Sequence, residues 1–147
     1  MADYQPPHYD MANYLVTENV IPTGMIFVNA LPDFQVVSAD IDYMACVKVV
    51  NGSANPKWLR DTWVLSFQVL GRTIADSQTA EEKCWDVFNK ILGSNNITID
   101  NQVYLQFNSS MMPSFMGYLD NSQPLYACHI ELVVEGIAAV GNREPLC

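Results

Sequence analysis

Two histidines, four cysteines and a few paired carboxylates are the residues of this chain best suited to chemistry. His129 and Glu131 stand two positions apart in a run of alternating apolar and polar residues, so they share one face of a predicted strand. An imidazole beside a carboxylate could act as an acid/base pair. A solvated strand face explains the same spacing, and we favour that interpretation.

The cysteines are Cys46, Cys84, Cys128 and Cys147, and no two form the close pair of a zinc or redox motif. Cys128 and His129 point to opposite faces of a strand, so they cannot share a metal ion. A distant Cys and His nucleophilic pair is possible in principle. We expect the first three to be apolar thiols in the core. The sequence leaves open whether Cys147 is reactive, and it assigns that thiol no function.

The carboxylate pairs and the glycines have ordinary structural explanations. Asp40 and Asp42 fit the solvated start of a strand, and Glu81 and Glu82 fit the first turn of a helix, where the helix dipole favours acids. The seven glycines are scattered and form no phosphate-binding loop. The sequence therefore predicts no catalytic residue, no cofactor and no metal ion.

The charge composition limits the partners. Only 16% of the 147 residues are charged, and the net charge is −9. A surface this poor in charge favours burial against a partner, because monomers avoid large exposed apolar patches. The acidic balance argues against a protein that grips DNA by its phosphates, since that affinity comes from Lys and Arg.

The chain start predicts a cytosolic protein, because residues 1–10 lack the basic and apolar pattern of a signal peptide. The apolar stretch from Leu132 to Val140 is interrupted by Glu135 and is much shorter than the ~20 residues of a membrane helix. We therefore expect no membrane partner.

The N-terminal third predicts an arm, a helix and two strands. Residues 1–9 resemble an arm, Asp10 is the expected N-cap of a short helix stopped by Pro22, and residues 25–28 form a first strand. The alternation from Ile41 to Val50 predicts a longer strand with one drier face.

A turn at residues 51–56 should join that strand to an antiparallel partner around Trp63 to Val69. The loop carries Lys57, Trp58, Leu59 and Arg60, which places two positive charges beside an aromatic ring. Aromatic and Arg residues are enriched at interface cores, so these four residues are the candidate interface. An ordinary hairpin loop is the competing interpretation.

The second helix has the strongest local signals. Thr79 and Glu82 fit a capping box, Ser77 is an alternative start, Lys90 lies in the last turn and Gly93 follows as a stop. An apolar stripe at helical spacing should pack on the sheet; it consists of Ala80, Cys84, Val87, Phe88, Ile91 and Leu92.

Three short strands and one long strand should follow this helix. The short runs are 97–99, 103–107 and 115–119, with residues 109–113 between the second and the third, and the last strand alternates from Tyr126 to Glu135. Together the elements predict one α+β domain over residues 10–140 and a tail over 141–147. Its small, mostly antiparallel sheet should carry the N-terminal helix and the longer amphipathic helix on one face.

This layout resembles the tail-terminator proteins of long-tailed bacteriophages and the related minor capsid or tail-completion group. The segment from Trp63 to Arg72, running into the helix from Ala80 to Leu92, is similar to the central strand-helix unit of that family. The closing strand from Leu125 to Val134 is similar to its last strand. The resemblance spans residues 10–135.

The resemblance implies a virion protein of the tail neck, assembled in the host cytoplasm. It implies a homo-oligomeric ring, a hexamer, that caps the head-proximal end of the tail tube, stops tube polymerisation and binds the head-completion proteins. DNA would be passing cargo, and acids lining a ring would repel it and let it slide. The family offers no catalytic residues to this chain.

Two alternatives remain open from the sequence. Another ring of the same assembly, such as a head-tail stopper or a tail tube subunit, fits the same composition. A small-ligand-binding module or enzyme would instead need a concave pocket with convergent polar groups.

Overall fold

The computed structural model describes residues 7–32, 41–55, 60–94, 96–99, 102–119 and 122–136. Within these residues the α-helices and β-strands are α1 (Pro7–Thr17), β1 (Ile26–Val28), β2 (Tyr43–Asn55), β3 (Arg60–Gly71), α2 (Ser77–Leu92), β4 (Ile97–Ile99), β5 (Gln102–Leu119) and β6 (Gln123–Gly136). A short 3-10 turn, Ile74–Asp76, leads from β3 into α2.

The strands form one sheet in the order β1-β2-β3-β6-β5-β4. β1 runs parallel to β2, and each of the other neighbouring pairs is antiparallel. Side chains of both helices share the main core cluster with one face of the sheet. The predicted α+β class, with a mostly antiparallel sheet and both helices on one face, is confirmed.

Strand alternation decides which side chains meet the helices. On β3, Leu65, Phe67 and Val69 face the core, and their cross-strand partners on β2 and β6 do the same. Burying an aliphatic or aromatic side chain of this size contributes about 1.5–3 kcal/mol. A smaller cluster around Met44 and Leu70 lies on the opposite face.

The two helices pack through narrow apolar stripes. Met11 and Leu15 on α1 are fully buried, and the predicted α2 stripe is buried from Ala80 to Ile91, with Leu92 partly buried. Gly93 follows α2 and its backbone N–H donates to the carbonyl of Asn89 at 3.0 Å, so the predicted stop is confirmed.

The start of α1 differs from the prediction. α1 begins at Pro7, three residues before the expected N-cap, so residues 7–9 of the predicted arm are helical. Proline suits a first turn because the N–H it lacks would have no partner there. Asp10 therefore lies within the first turn of α1 and not at its N-cap, and it is buried. Residues 1–6 and the predicted tail, 141–147, lie outside the described residues.

The start of α2 is Ser77, the alternative that the sequence left open, so the capping box at Thr79 is wrong. The acids Glu81 and Glu82 consequently lie beyond the first turn, which contains no acidic residue. The cap-like hydrogen bonds occur one turn earlier, where the Thr73 backbone N–H donates to the Asp76 carboxylate at 3.0 Å. Lys90 lies in the last turn, as predicted.

Two strands are longer than predicted. β2 continues through Asn51–Asn55, the expected turn, because a register shift after Val49 absorbs one residue and the strand keeps pairing with β3. β5 is continuous through 109–113, where the sequence predicted a break. Irregular pairing between Met111 and Ser114 accommodates Pro113 without ending the strand.

Of the helices that the structure describes, neither has the length and apolar character needed to cross a membrane.

Candidate functional site

The predicted interface at Lys57 to Arg60 falls almost entirely outside the described residues. Lys57, Trp58 and Leu59 lie outside the described residues. Arg60 is the first residue of β3 and pairs with Asn55 through its backbone. The loop therefore stays a prediction.

His129 lies on the sheet face turned away from the helices, as its alternation predicted. Its cross-strand neighbours are Ser66 on β3 and Met111 on β5. Burial, and secondarily the positive charge of Lys48, lower the pKa of His129, which favours the neutral imidazole. Among the described residues no hydrogen bond joins His129 to Glu131, so the two groups are not coupled as a hydrogen-bonded acid/base pair.

Cys46, Cys84 and Cys128 are buried free thiols, which confirms the role predicted for them. Cys128 on β6 lies against Cys84 on α2; their hydrogen bond, followed by burial, raises the pKa of Cys128. Burial also raises the pKa of Cys46. Cys46 and Cys128 are therefore poor nucleophiles at neutral pH. Within the described ranges no three His, Cys, Asp or Glu side chains come close enough to hold a metal ion.

A buried polar cluster joins α1 to the start of β5. The Tyr104 hydroxyl donates to the Asp10 carboxylate at 2.6 Å, and the Gln102 side-chain amide donates to the same oxygen at 2.7 Å. The Gln102 amide also lies 3.1 Å from the Tyr104 hydroxyl. All three side chains are at most 2% exposed, so their contacts fasten the helix to the sheet and offer solvent no access.

Sequence reasoning missed this cluster, because it assigned Asp10 to a helix cap. The partners lie more than ninety positions apart in the chain. The available signal was a polar pair, Gln102 and Tyr104, at alternate positions where inward-facing residues were expected. A buried carboxylate that accepts two hydrogen bonds and is closed to solvent has a structural role.

The distal half of β5 exposes a cluster of large apolar side chains. From Met112 to Leu119, which we call the apolar segment, five large apolar side chains are between 46% and 59% exposed: Met112, Phe115, Met116, Tyr118 and Leu119. The whole of β5, 18 residues, contains no charged side chain. Clustered exposure of this kind marks an interaction surface.

Aromatic contacts hold the base of the apolar segment in place. The Phe115 ring lies 5.4 Å from the ring of Tyr126 on β6 and 5.0 Å from that of Tyr118. The Tyr126 hydroxyl is hydrogen-bonded to Ser77, at the start of α2, at 2.9 Å. The exposed surface is therefore tied to the core and to α2.

The outer edge of β5 is mostly open. β4 pairs only with Gln102–Tyr104, and in the described part of the chain no other strand covers β5 on the side away from β6. Along the apolar segment the pairing with β6 is irregular, and Gly117 has a φ of 115°, which side-chain-bearing residues rarely adopt. Such irregularities hinder simple edge-to-edge pairing of strands.

A groove lies at the opposite end of β5, between α1 and β4. It has a volume of about 430 Å³ and is lined by Asn13, Tyr14, Thr17, Glu18, Ile97, Thr98 and Ile99. Its one charged group, Glu18, is paired with Lys90 at 2.9 Å. The Tyr14 hydroxyl donates to Ser94 at 2.7 Å. The groove therefore presents isoleucine side chains and uncharged polar groups.

Neither a scan against protein-family models nor a search of curated proteins finds a match to this chain.

Proposed function

We propose that this chain is a structural virion protein that forms a ring capping the head-proximal end of a bacteriophage tail tube. The apolar segment is the observation that carries the proposal. An acidic chain with a wholly uncharged strand, half of which exposes aromatic and methionine side chains, is suited to a contact with other protein subunits. Such a contact is what assembly into a ring requires.

The order of the elements supports the particular assembly. A helix, a first strand, a long strand pair, an amphipathic helix and a long closing strand occur along residues 7–136, in the order on which the resemblance to tail terminators rests. The proposed partners are further copies of the chain in a hexamer, the tail tube protein and the head-completion protein. DNA would pass through the ring without being gripped, and no membrane takes part.

A head-tail stopper or a tube subunit is the close alternative, because each also needs protein contact surfaces. A small-ligand module or enzyme would use the groove between α1 and β4. The ionic and phenolic groups of that groove, Glu18 and Tyr14, are already engaged by other side chains. We therefore favour protein contacts over recognition of a small polar ligand.

Capping of growing tail tubes tests the proposal. Purified protein is added to polymerising tail tube protein, and the tube ends are imaged by electron microscopy. Rings at one end together with arrested tube length are the expected result, and unaltered growth without rings contradicts it. Long tubes formed by the protein alone would assign it to the tube subunits instead.

A further inference from the structure

We infer that the apolar segment of one copy inserts into the groove between α1 and β4 of a second copy, so that subunits join head to tail. The inference rests on the proposed ring, since it assigns the two surfaces through which its subunits meet. Both surfaces belong to every copy.

Charge favours a second copy of this chain as the occupant. Two chains that each carry −9 repel one another unless they meet where neither is charged. The apolar segment has no charged residue, and the only charged residue lining the groove, Glu18, is neutralised by Lys90. The two surfaces can therefore meet without burying an unpaired charge.

The positions of the two surfaces favour a head-to-tail contact. Val103, beside β4, pairs with Glu135 of β6, and Phe115 in the apolar segment pairs with Tyr126. Nine residues of β6 therefore separate the two surfaces, which corresponds to about 30 Å at ~3.3 Å per residue. A contact between different surfaces of identical subunits repeats from copy to copy and closes into a ring when the rotation allows.

The shapes of the groove and of the apolar segment fit the proposed contact. The groove volume falls in the ~300–1,000 Å³ range of sites that enclose a compact organic group, so it can receive methionine and aromatic side chains. The irregular pairing and Pro113 make a long edge-to-edge ladder between two copies of β5 unfavourable. The apolar segment therefore binds the second copy through its side chains and does not add a strand to the sheet of that copy.

Mixing two complementary variants tests the contact. Met116→Arg places a charge in the apolar segment and leaves the groove intact, while Thr17→Arg places the same charge at the groove and leaves the segment intact. Both positions are exposed, so the fold should persist, as unchanged circular dichroism would verify. Asn89→Arg, on an exposed position of α2, is the matched control.

Native mass spectrometry and sedimentation up to about 1 mM measure the association. We expect oligomers from the wild type and from Asn89→Arg, and association at least about tenfold weaker for each of the other variants alone. An equimolar mixture of Met116→Arg and Thr17→Arg should form heterodimers, because it contains one intact pair of surfaces.

Three results would overturn the inference. Wild-type protein that stays monomeric would assign the apolar segment to a different protein. Full association of Thr17→Arg alone would indicate a symmetric contact that does not use the groove. A mixture without heterodimers would show that the two surfaces do not meet.

The capping assay separates this inference from the proposed function. If the variants and their mixture behave as expected while tail tubes are not capped, the contact stands and the tail function fails. If wild type and both variants cap tubes equally well, the function stands and the head-to-tail contact fails.

Discussion

The two halves of β5 both lack charge, and each carries two aromatic residues, but these residues have different surroundings. In the proximal half, Tyr104 and Phe107 are buried in the main core, and Tyr104 is fixed by the Asp10 carboxylate. In the apolar segment, Tyr118 and Phe115 are about half exposed.

The difference lies in what packs against each half. The proximal half is bordered by β4 and is tied to α1 through the hydrogen bond between Tyr104 and Asp10, whereas among the described strands only β6 pairs with the apolar segment, where the Tyr126 ring contacts Phe115. Apolar character alone therefore does not tell whether a strand is core or interface. The elements that contact each half decide.

The largest expected effect comes from matched tyrosine deletions in the two halves. Tyr104→Ala removes a fully buried ring and leaves Asp10 without its hydroxyl donor, so the free energy of unfolding should fall by about 3–5 kcal/mol. Tyr118→Ala, in the apolar segment, should change it by less than about 0.5 kcal/mol. Urea denaturation of the two variants measures both values.

Equal losses of unfolding free energy in the two variants would contradict this prediction, because the apolar segment would then be part of the folded core of the isolated chain. A loss confined to Tyr104→Ala would support a segment that awaits a partner.

A smaller loss is expected from the polar cluster itself. Asp10→Ala leaves the Gln102 amide and the Tyr104 hydroxyl without the acceptor they share, which should cost about 1–3 kcal/mol of unfolding free energy. Asp86→Ala, an exposed position on α2, is the matched carboxylate control and should cost less than about 0.5 kcal/mol. Identical urea midpoints for the two variants would contradict the fastening role of the cluster.

The buried hydroxyl group of Tyr43 predicts a loss of stability at alkaline pH. Burial, followed by the charges of Asp42 and Asp86, raises the pKa of Tyr43 to about 12. An unfolded tyrosine has a pKa of ~10, so the unfolded chain loses this proton first as pH rises. Stability from this group is therefore complete below about pH 10 and decreases between about pH 10 and 12.

Tyr43→Phe tests that transition by removing the ionisable group. Urea denaturation from pH 8 to 12 should show a shallower loss of stability in the variant than in the wild type above pH 10, and parallel values below it. The same slope in both proteins would show that the Tyr43 hydroxyl ionises as readily in the folded chain as in the unfolded one.

The smallest effect is expected at the ion pair that links the ends of the two helices. The Lys90 ammonium lies 2.9 Å from Glu18, and both side chains are more than one third exposed. Such pairs contribute at most about 1 kcal/mol and weaken with salt. Glu18→Gln should therefore reduce stability slightly at low ionic strength and not at all in about 1 M salt; a salt-independent loss would imply a different role.

Much of the fold could be predicted because local patterns carry it. Alternation in the runs from Ile41 and from Tyr126 identified the central strands and most of their core-facing residues, although Ile41 itself packs with Met44 on the opposite face. Helical spacing identified the α2 stripe. The ends of helices and strands were less predictable. Asp10 and Thr79 are residue types typical of helix caps, and residues 51–56 are typical of a turn, but the surrounding structure gives them other roles. The interface at Lys57 to Arg60 remains a prediction, since most of that loop is outside the described residues.

The sequence by itself determined the element types, the core-facing residues of β3 and β6, the buried thiols and the absence of charge along β5, because these depend on residue type and spacing. Only the tertiary structure decided that Asp10 meets Gln102 and Tyr104, and that the aromatic residues of one half of β5 are buried while those of the other half are exposed. Those outcomes depend on contacts between residues distant in the chain, which no local pattern encodes.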